Sequence, residues 1–458
     1  MTTSADPLLA PLPDPLPPVE RVSRMPAGFA AVGTTAGIKA SGRLDFALVV
    51  ATGGPVPAAA VFTPNRLAAA PVRLSRANLR ATGGTPASCG YATAVVATSG
   101  SANAATGEAG DADQAAIGVA VAAAIGTEPV HVLHLSTGII GTRLPVDKVA
   151  ATARRVADEG LELTDLALDH AAVALRTTDS TTKTASVSAR VPSATGGSAT
   201  ITVTGIAKGV GMIHPRMATM LSIVLTDATA SPATLRTLLR SAAATTWDQL
   251  SVDGDTSTND TVFVLASGAA GAASADDDAE ARAALGAAIA AVARDLARQQ
   301  ARDGEGATAL ITCQVTGAAD DADARAVARA VISSSLVKAA VHGRDANWGR
   351  IAGAAGNALV AEAAVLEAAG LSPEAAAARA AQPAAVDPAS LRIAIAGHLA
   401  YDGTRGGPVG IDKAAARAAM DAEEVLIRLD LGLGAGIGEA FGCPLTEAYV
   451  KENAEYTT

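Results

Sequence analysis

The sequence predicts an α/β protein in which large sheets are covered by helices. Three observations carry that expectation. Helical and strand-like apolar patterns alternate along almost the whole chain. The 458 residues suffice for two domains or two closely packed halves. Hydrophobic residues make up 49% of the chain but aromatics only 2%, so the core must be filled mainly by Ala, Val, Leu and Ile. Such a mixture buries sheets beneath helices, and no internal repeat breaks the pattern.

The elements follow in order. Residues 1–26 read as a flexible Pro-rich leader, with six prolines in the first 20 positions. No basic segment followed by an apolar run is present there, so it does not read as a signal peptide. Strand-like runs are expected at 46–51, 93–98, 131–135, 201–206, 221–226, 307–315, 391–396 and 424–430. Helices are expected at 113–125, 145–158, 279–300, 325–341 and 357–381. In 279–300 an apolar stripe of Leu285, Ile289, Val292 and Leu296 recurs at helical spacing, and the acidic residues 276–278 suit the positive end of that helix dipole.

Composition excludes several classes of function. The net charge is −10 and no Lys/Arg run or aromatic platform occurs, which speaks against nucleic-acid binding. Cys89, Cys313 and Cys443 are far apart and show no CxxC pairing, so neither a disulfide framework nor a zinc site is expected. That usage fits a reducing cytoplasm. The longest apolar runs fall short of the roughly 18 residues a membrane span needs.

The stretch 206–228 carries the most chemistry. Glycines at 205, 209 and 211 precede a proline, then Met217-Ala218-Thr219-Met220-Leu221 leads into an apolar strand. A Gly-rich turn there delivers a threonine to the start of a buried strand. One reading is an ordinary strand start. The other is an N-terminal nucleophile: an alcohol needs a nearby base, and cleavage before Thr219 would create an α-amine of pKa about 7.7–8.0, suited to general-base work.

The segment GMIHPRMATML resembles the self-cleavage motif of the ornithine acetyltransferase family of bifunctional glutamate N-acetyltransferases. Further segments follow in family order: GFAAVGTTAGIK at 28–39, VFTPNRLAAAPV at 61–72, STGIIG at 136–141 and TTD at 177–179. SVDGDTSTND at 251–260, DGEGAT at 303–308, GRDANWGRI at 343–351 and the tail YVKENAEYTT complete the series. The resemblance spans residue 27 to the C-terminus.

It implies a self-processed, sandwich-like α/β fold in which one precursor, cut between Ala218 and Thr219, yields two interwoven chains, 27–218 behind the leader and 219–458, usually assembled as an α2β2 heterotetramer. Thr219 would be the nucleophile, with Thr137 and Gly138 as the oxyanion hole. Thr177, Lys208, Thr219, Glu305, Asn453 and Thr458 would bind substrate, Thr178 being the rival to Thr177 if the register shifts by one. The implied reaction moves the acetyl group of N2-acetylornithine to glutamate through an acetyl-threonine, with acetyl-CoA as a further co-substrate and with no metal or organic cofactor.

Departures from the family pattern bear on specificity. Thr98 and Ser101 stand where asparagines are usual, TTDSTTK replaces TTDTFPK, Ala309 follows GEGAT where Lys or Arg is common, and Val210 replaces a small polar residue. Asp253, Asp255 and Asp260 lack cation-loop spacing and read as a structural turn. His214 reads as a loop histidine and Trp348 as a packing anchor. A self-processed aminopeptidase or amidase, with water as acceptor, is the rival enzyme class. A non-cleaving binding paralogue and an ornithine acetyltransferase of a secondary-metabolite cluster are the other readings.

Overall fold

The computed structural model describes residues 6–10, 12, 14–86, 88–214 and 220–454. It contains three sheets and realises the sandwich expectation. A four-stranded sheet is ordered Phe29–Thr34, Phe46–Ala51, Ala94–Ser101, Val132–Ile139. A six-stranded sheet is ordered Cys89–Ala92, Val56–Phe62, Thr261–Ala266, Leu221–Thr226, Ser198–Lys208, Lys183–Pro192.

These two sheets face each other because side chains alternate along a strand. Along Leu221–Thr226, Leu221, Ile223 and Leu225 join a core that also holds Val49, Val95, Leu133 and Leu168. Val224 points the other way, into a core formed with Leu235, Leu239, Ile289, Val292 and Leu296 of the helices Pro232–Thr245 and Ala279–Arg302. The far face of the four-stranded sheet buries Phe46, Leu48 and Val96 under Ile117, Val121, Val149 and Ala153 of the helices Gly107–Ile125 and Val146–Glu159. Helix, sheet, sheet and helix are therefore stacked in four layers.

The third sheet has seven strands and its own core. Ile311, Cys313, Val315, Ile393, Ile427 and Leu429 pack there against Val327, Val331 and Ile332 of the helix Asp321–Ser333. Trp348 stacks on Tyr401 with ring centroids 4.9 Å apart, the packing role its sequence suggested.

Two helix expectations need correction. The stretch 325–341 is split into Asp321–Ser333 and Ser335–His342, because Ser334 adopts an extended conformation and its hydroxyl caps the second helix at Val337 N. Within 357–381 only Ala363–Ala368 and Pro373–Arg379 are helical, the second starting where Ser372 caps and Pro373 takes the first position.

Described parts of the 1–26 leader lie along the body. Asp14 pairs with Arg294 at 2.8 Å and Arg21 with Asp295 at 3.0 Å, both partners on the helix Ala279–Arg302. Among the described residues no helix is long and apolar enough to cross a membrane.

Candidate active site

A cavity of about 300 Å³ opens where the strands Val132–Ile139 and Ser198–Lys208 end. Residues on both sides of the 218–219 bond line it: Thr137, Gly138, Thr177, Thr178 and Lys208 from before it, Asn259, Glu305 and Asn453 from after it. Thr137 is buried at the edge of the four-stranded sheet. The strands there approach so closely that a Cβ on Gly138 would lie 2.4 Å from the Gly100 carbonyl carbon, and Gly138 has φ +130°. Only glycine lets the backbone reach the cavity in this way. Asn259 fastens the corner, its amide Nδ2 donating to Ser136 O at 2.8 Å and Ala102 O at 2.7 Å.

Lys208 is the last residue of its strand and is buried. Its Nζ donates to Thr137 Oγ1 at 3.2 Å, and its own carbonyl accepts from Gln300 Nε2 at 2.9 Å. Burial lowers the pKa of this ammonium, while the nearby negative charges of Asp179, Glu305 and Asp260 oppose that shift.

Asp179 ties two loops together. Its Oδ1 accepts from Lys183 Nζ at 2.7 Å and Gly209 N at 2.8 Å, and its Oδ2 from Thr177 N at 3.0 Å. Burial alone would raise the carboxyl's pKa, but Lys208, Lys183 and the Gly209 N–H hold it well below the usual carboxylate range. Lys183, fully buried, also reaches Asp303 Oδ2 at 2.6 Å.

Glu305 closes the opposite wall. Its Oε1 accepts from Thr178 Oγ1 and its Oε2 from Asn453 Nδ2, each at 3.0 Å. Its N–H donates to Val210 O at 2.8 Å. A Cβ on Gly211 would sit 2.2 Å from Glu305 Oε2, so the Gly-rich turn is what admits this carboxylate. Asn453 belongs to the helix Glu447–Ala454, whose start is fixed by Thr446 Oγ1 donating to Gly306 O at 2.8 Å.

The structure thus brings together Thr137, Gly138, Thr177, Lys208, Glu305 and Asn453. Thr177 and Thr178 both line the cavity, but the Thr178 hydroxyl is engaged by Glu305. Ala218, Thr219 and Thr458 lie outside the described residues. The strand that follows Thr219 is anchored at its start, where Met220 N donates to Asp260 Oδ1 at 3.0 Å. Burial pushes the Asp260 carboxyl well above its ordinary value. Asp253 accepts from Met212 N and from Ile213 N at 2.9 Å, the turn role its spacing suggested. His214 Nδ1 lies 3.3 Å from Ser251 Oγ.

Sequence reasoning missed Asp179, Lys183, Asn259 and Asp303. Asp179 and Lys183 are four residues apart in a polar stretch, a spacing that looks the same in a solvated pair. The available signals were the motifs themselves: Asp179 closes TTD, Lys183 closes TTDSTTK, Asn259 lies in SVDGDTSTND and Asp303 opens DGEGAT.

Residues 30–458 match the model of the ArgJ family. The arginine biosynthesis bifunctional protein ArgJ of Thermosynechococcus vestitus is 42% identical over 446 residues, covering 94% of this chain and 96% of that protein. The protein of the same name from Thermus thermophilus is 41% identical over 435 residues, covering 95% and 99%. Among solved structures, ornithine acetyltransferase from Mycobacterium tuberculosis complexed with ornithine is 40% identical, covering 43% of this chain and 97% of that chain, with a TM-score of 0.38.

Proposed function

The chain belongs to the ArgJ family, and from that premise we propose that Thr219 carries the acetyl group between N2-acetylornithine and glutamate. The protein is an acyltransferase of arginine biosynthesis. One observation supports the residue-level reading above the rest. The six described residues expected to serve the reaction line one cavity, although they are spread from position 137 to position 453.

The chemistry runs in two balanced halves. Thr219 Oγ attacks the acetyl carbonyl while the Thr219 α-amine, freed by cleavage after Ala218, accepts the hydroxyl proton. Thr137 and the Gly138 N–H stabilise the oxyanion of the tetrahedral intermediate. The C–N bond breaks, the proton passes to the departing amine of ornithine, and an acetyl ester remains on Thr219. The α-amine of glutamate attacks that ester and gives a proton to the Thr219 α-amine, the C–O bond breaks as that proton passes to Thr219 Oγ, and N-acetylglutamate leaves with the Thr219 hydroxyl restored. Lys208 suits the substrate carboxylate, and Glu305 with Asn453 suits the amino group and the polar backbone of an amino acid. The Thr177 hydroxyl, with no partner among the described residues, is the better placed of the two threonines to meet substrate. Thr458 at the chain end completes the set.

No metal or organic cofactor enters this scheme. Acetyl-CoA is a second acetyl donor, in line with the word bifunctional in the relatives' names. The processed chains assemble as an α2β2 heterotetramer in the cytoplasm.

Purified protein incubated with N2-acetylornithine and glutamate tests the reading. N-acetylglutamate and ornithine should appear in equal amounts, and trapped enzyme should carry acetate on the residue that begins Thr-Met-Leu. Acetate release at the same rate without glutamate would instead make water the acceptor.

A further inference from the structure

The contact between Lys208 and Thr137 has a directional consequence. An ammonium has three N–H groups and no lone pair, so it only donates. Thr137 Oγ1, 3.2 Å from Lys208 Nζ, must therefore accept from it. Its own proton then has to point elsewhere. Among the described residues no acceptor takes that proton, and Thr137 lines the cavity. Lys208 cannot easily turn away: its carbonyl is held by Gln300, and the next residue's N–H is held by Asp179. The Asp179 carboxylate is itself fixed by Lys183 and Thr177 N.

We infer that Lys208 is a positioning residue of the oxyanion hole: its ammonium turns the Thr137 hydroxyl into a donor aimed at the cavity, and Asp179 keeps that ammonium in place. This rests on the acyl-transfer reading above and assigns Lys208 a role besides binding a substrate carboxylate. One N–H serves Thr137 and the other two have no acceptor among the described residues, which leaves them for substrate, so the two roles are compatible and separable. A hydroxyl that accepts from a cation is also a stronger donor than a free one.

The separation needs an acetyl donor without a carboxylate. With p-nitrophenyl acetate, Thr219 takes the acetyl group, p-nitrophenol departs with the transferred proton, and water later hydrolyses the ester. If Lys208 only anchored a carboxylate, Lys208→Met would turn over this ester at the wild-type rate and raise KM for N2-acetylornithine alone. The inference requires that Lys208→Met lower kcat for p-nitrophenyl acetate at least about tenfold, short of the about 10²–10³ typical of losing an oxyanion donor itself. Lys208→Arg, which keeps a donor-only cation, should recover part of that loss.

Asp179→Asn gives an independent readout through pH. The charged groups around Lys208 are Asp179, Glu305 and Asp260, which favour the ammonium, and Lys183, which disfavours it. Burial already lowers the Lys208 pKa, so removing the Asp179 charge lowers it further. The ammonium is then lost at lower pH, and the alkaline limb of the ester profile should move to lower pH. Lys39 also senses this site, and burial lowers its pKa to about 8. Lys39→Met is therefore the background for the comparison. A loop merely loosened by Asp179→Asn would lower activity at every pH without moving the limb. Wild-type turnover of the ester by folded Lys208→Met overturns the inference; should that variant not fold, an unmoved limb in Asp179→Asn overturns it. Failure of the wild type to form N-acetylglutamate would defeat the acetyl-transfer reading instead, and the ester comparison would still decide the role of Lys208.

Discussion

At the scale of single residues, the cavity depends on groups with few substitutes. Thr137→Ala removes a hydroxyl but no packing volume beyond a methyl-sized group, so the fold should persist while kcat for acetyl transfer falls by about 10²–10³. Steady-state kinetics on the processed enzyme checks this. Gly211→Ala acts on the opposite wall: the new Cβ would lie 2.2 Å from Glu305 Oε2, so the carboxylate must swing away from Thr178 and Asn453. KM for the amino-acid substrates should rise several-fold, with the melting temperature little changed. Lys183→Met is the contrasting case. It leaves two carboxylates, Asp179 and Asp303, with side chains 0% and 7% exposed and no cation between them. Breaking a buried pair in this way costs about 3–5 kcal/mol, which chemical denaturation would measure. The same pair sets an acid limit. The Asp179 carboxyl is held below its ordinary value, so its stabilising effect is present at neutral pH and is lost only as pH falls below the usual carboxylate range.

At the scale of elements, the C-terminal helix Glu447–Ala454 is held from its ends. None of its residues is buried. Thr446 anchors its start on Gly306, and Asn453 near its end reaches Glu305. Deleting residues 453–458 should therefore abolish acetyl transfer while self-cleavage, which needs no external substrate, continues. Gel electrophoresis and the acetyl-transfer assay on the same preparation separate the two outcomes. The elements also show what the sequence could reveal. Strands 46–51, 221–226 and 424–430 were legible to the residue, the first as an unbroken apolar run, the second as a mostly apolar one, and the third through its alternation of apolar with charged residues. The strand Lys183–Pro192 was not, since polar residues such as Lys183, Thr184 and Ser186 are buried in it and break the apolar pattern. Helices in Ala-rich stretches were overextended, as Ala at 357–381 favours helix locally while Ser372 and Pro373 impose a restart. The site was legible through ordered short motifs, but the Asp179–Lys183–Asp303 support was not, because burial, not residue type, distinguishes it from a surface pair.

At the scale of the whole molecule, the six-stranded sheet decides what the proposed cleavage before Thr219 would leave behind. Two of its strands, Cys89–Ala92 and Val56–Phe62, precede the 218–219 bond; the next two, Thr261–Ala266 and Leu221–Thr226, follow it; the last two, Ser198–Lys208 and Lys183–Pro192, precede it again. After such a cleavage the two central strands of the sheet would belong to one product and both flanks to the other. Val56–Phe62 pairs with Thr261–Ala266 over five residue positions, and Ser198–Lys208 with Leu221–Thr226 over six. Both faces of these strands are also buried in shared cores. Separating chains cut before Thr219 would break two strand ladders and expose both cores, so such a cleavage would have to act on a folded precursor and leave its products together. Purified protein should therefore run as one species under native conditions and as two fragments, 1–218 and 219–458, in denaturing gels. Thr219→Ala should run as a single chain in both and be inactive. Thermal unfolding of the cleaved protein should show the sandwich halves melting in one transition, because neither product holds a complete central sheet. Dissociation of the fragments by dilution alone, without denaturant, would contradict the interleaved order of the sheet.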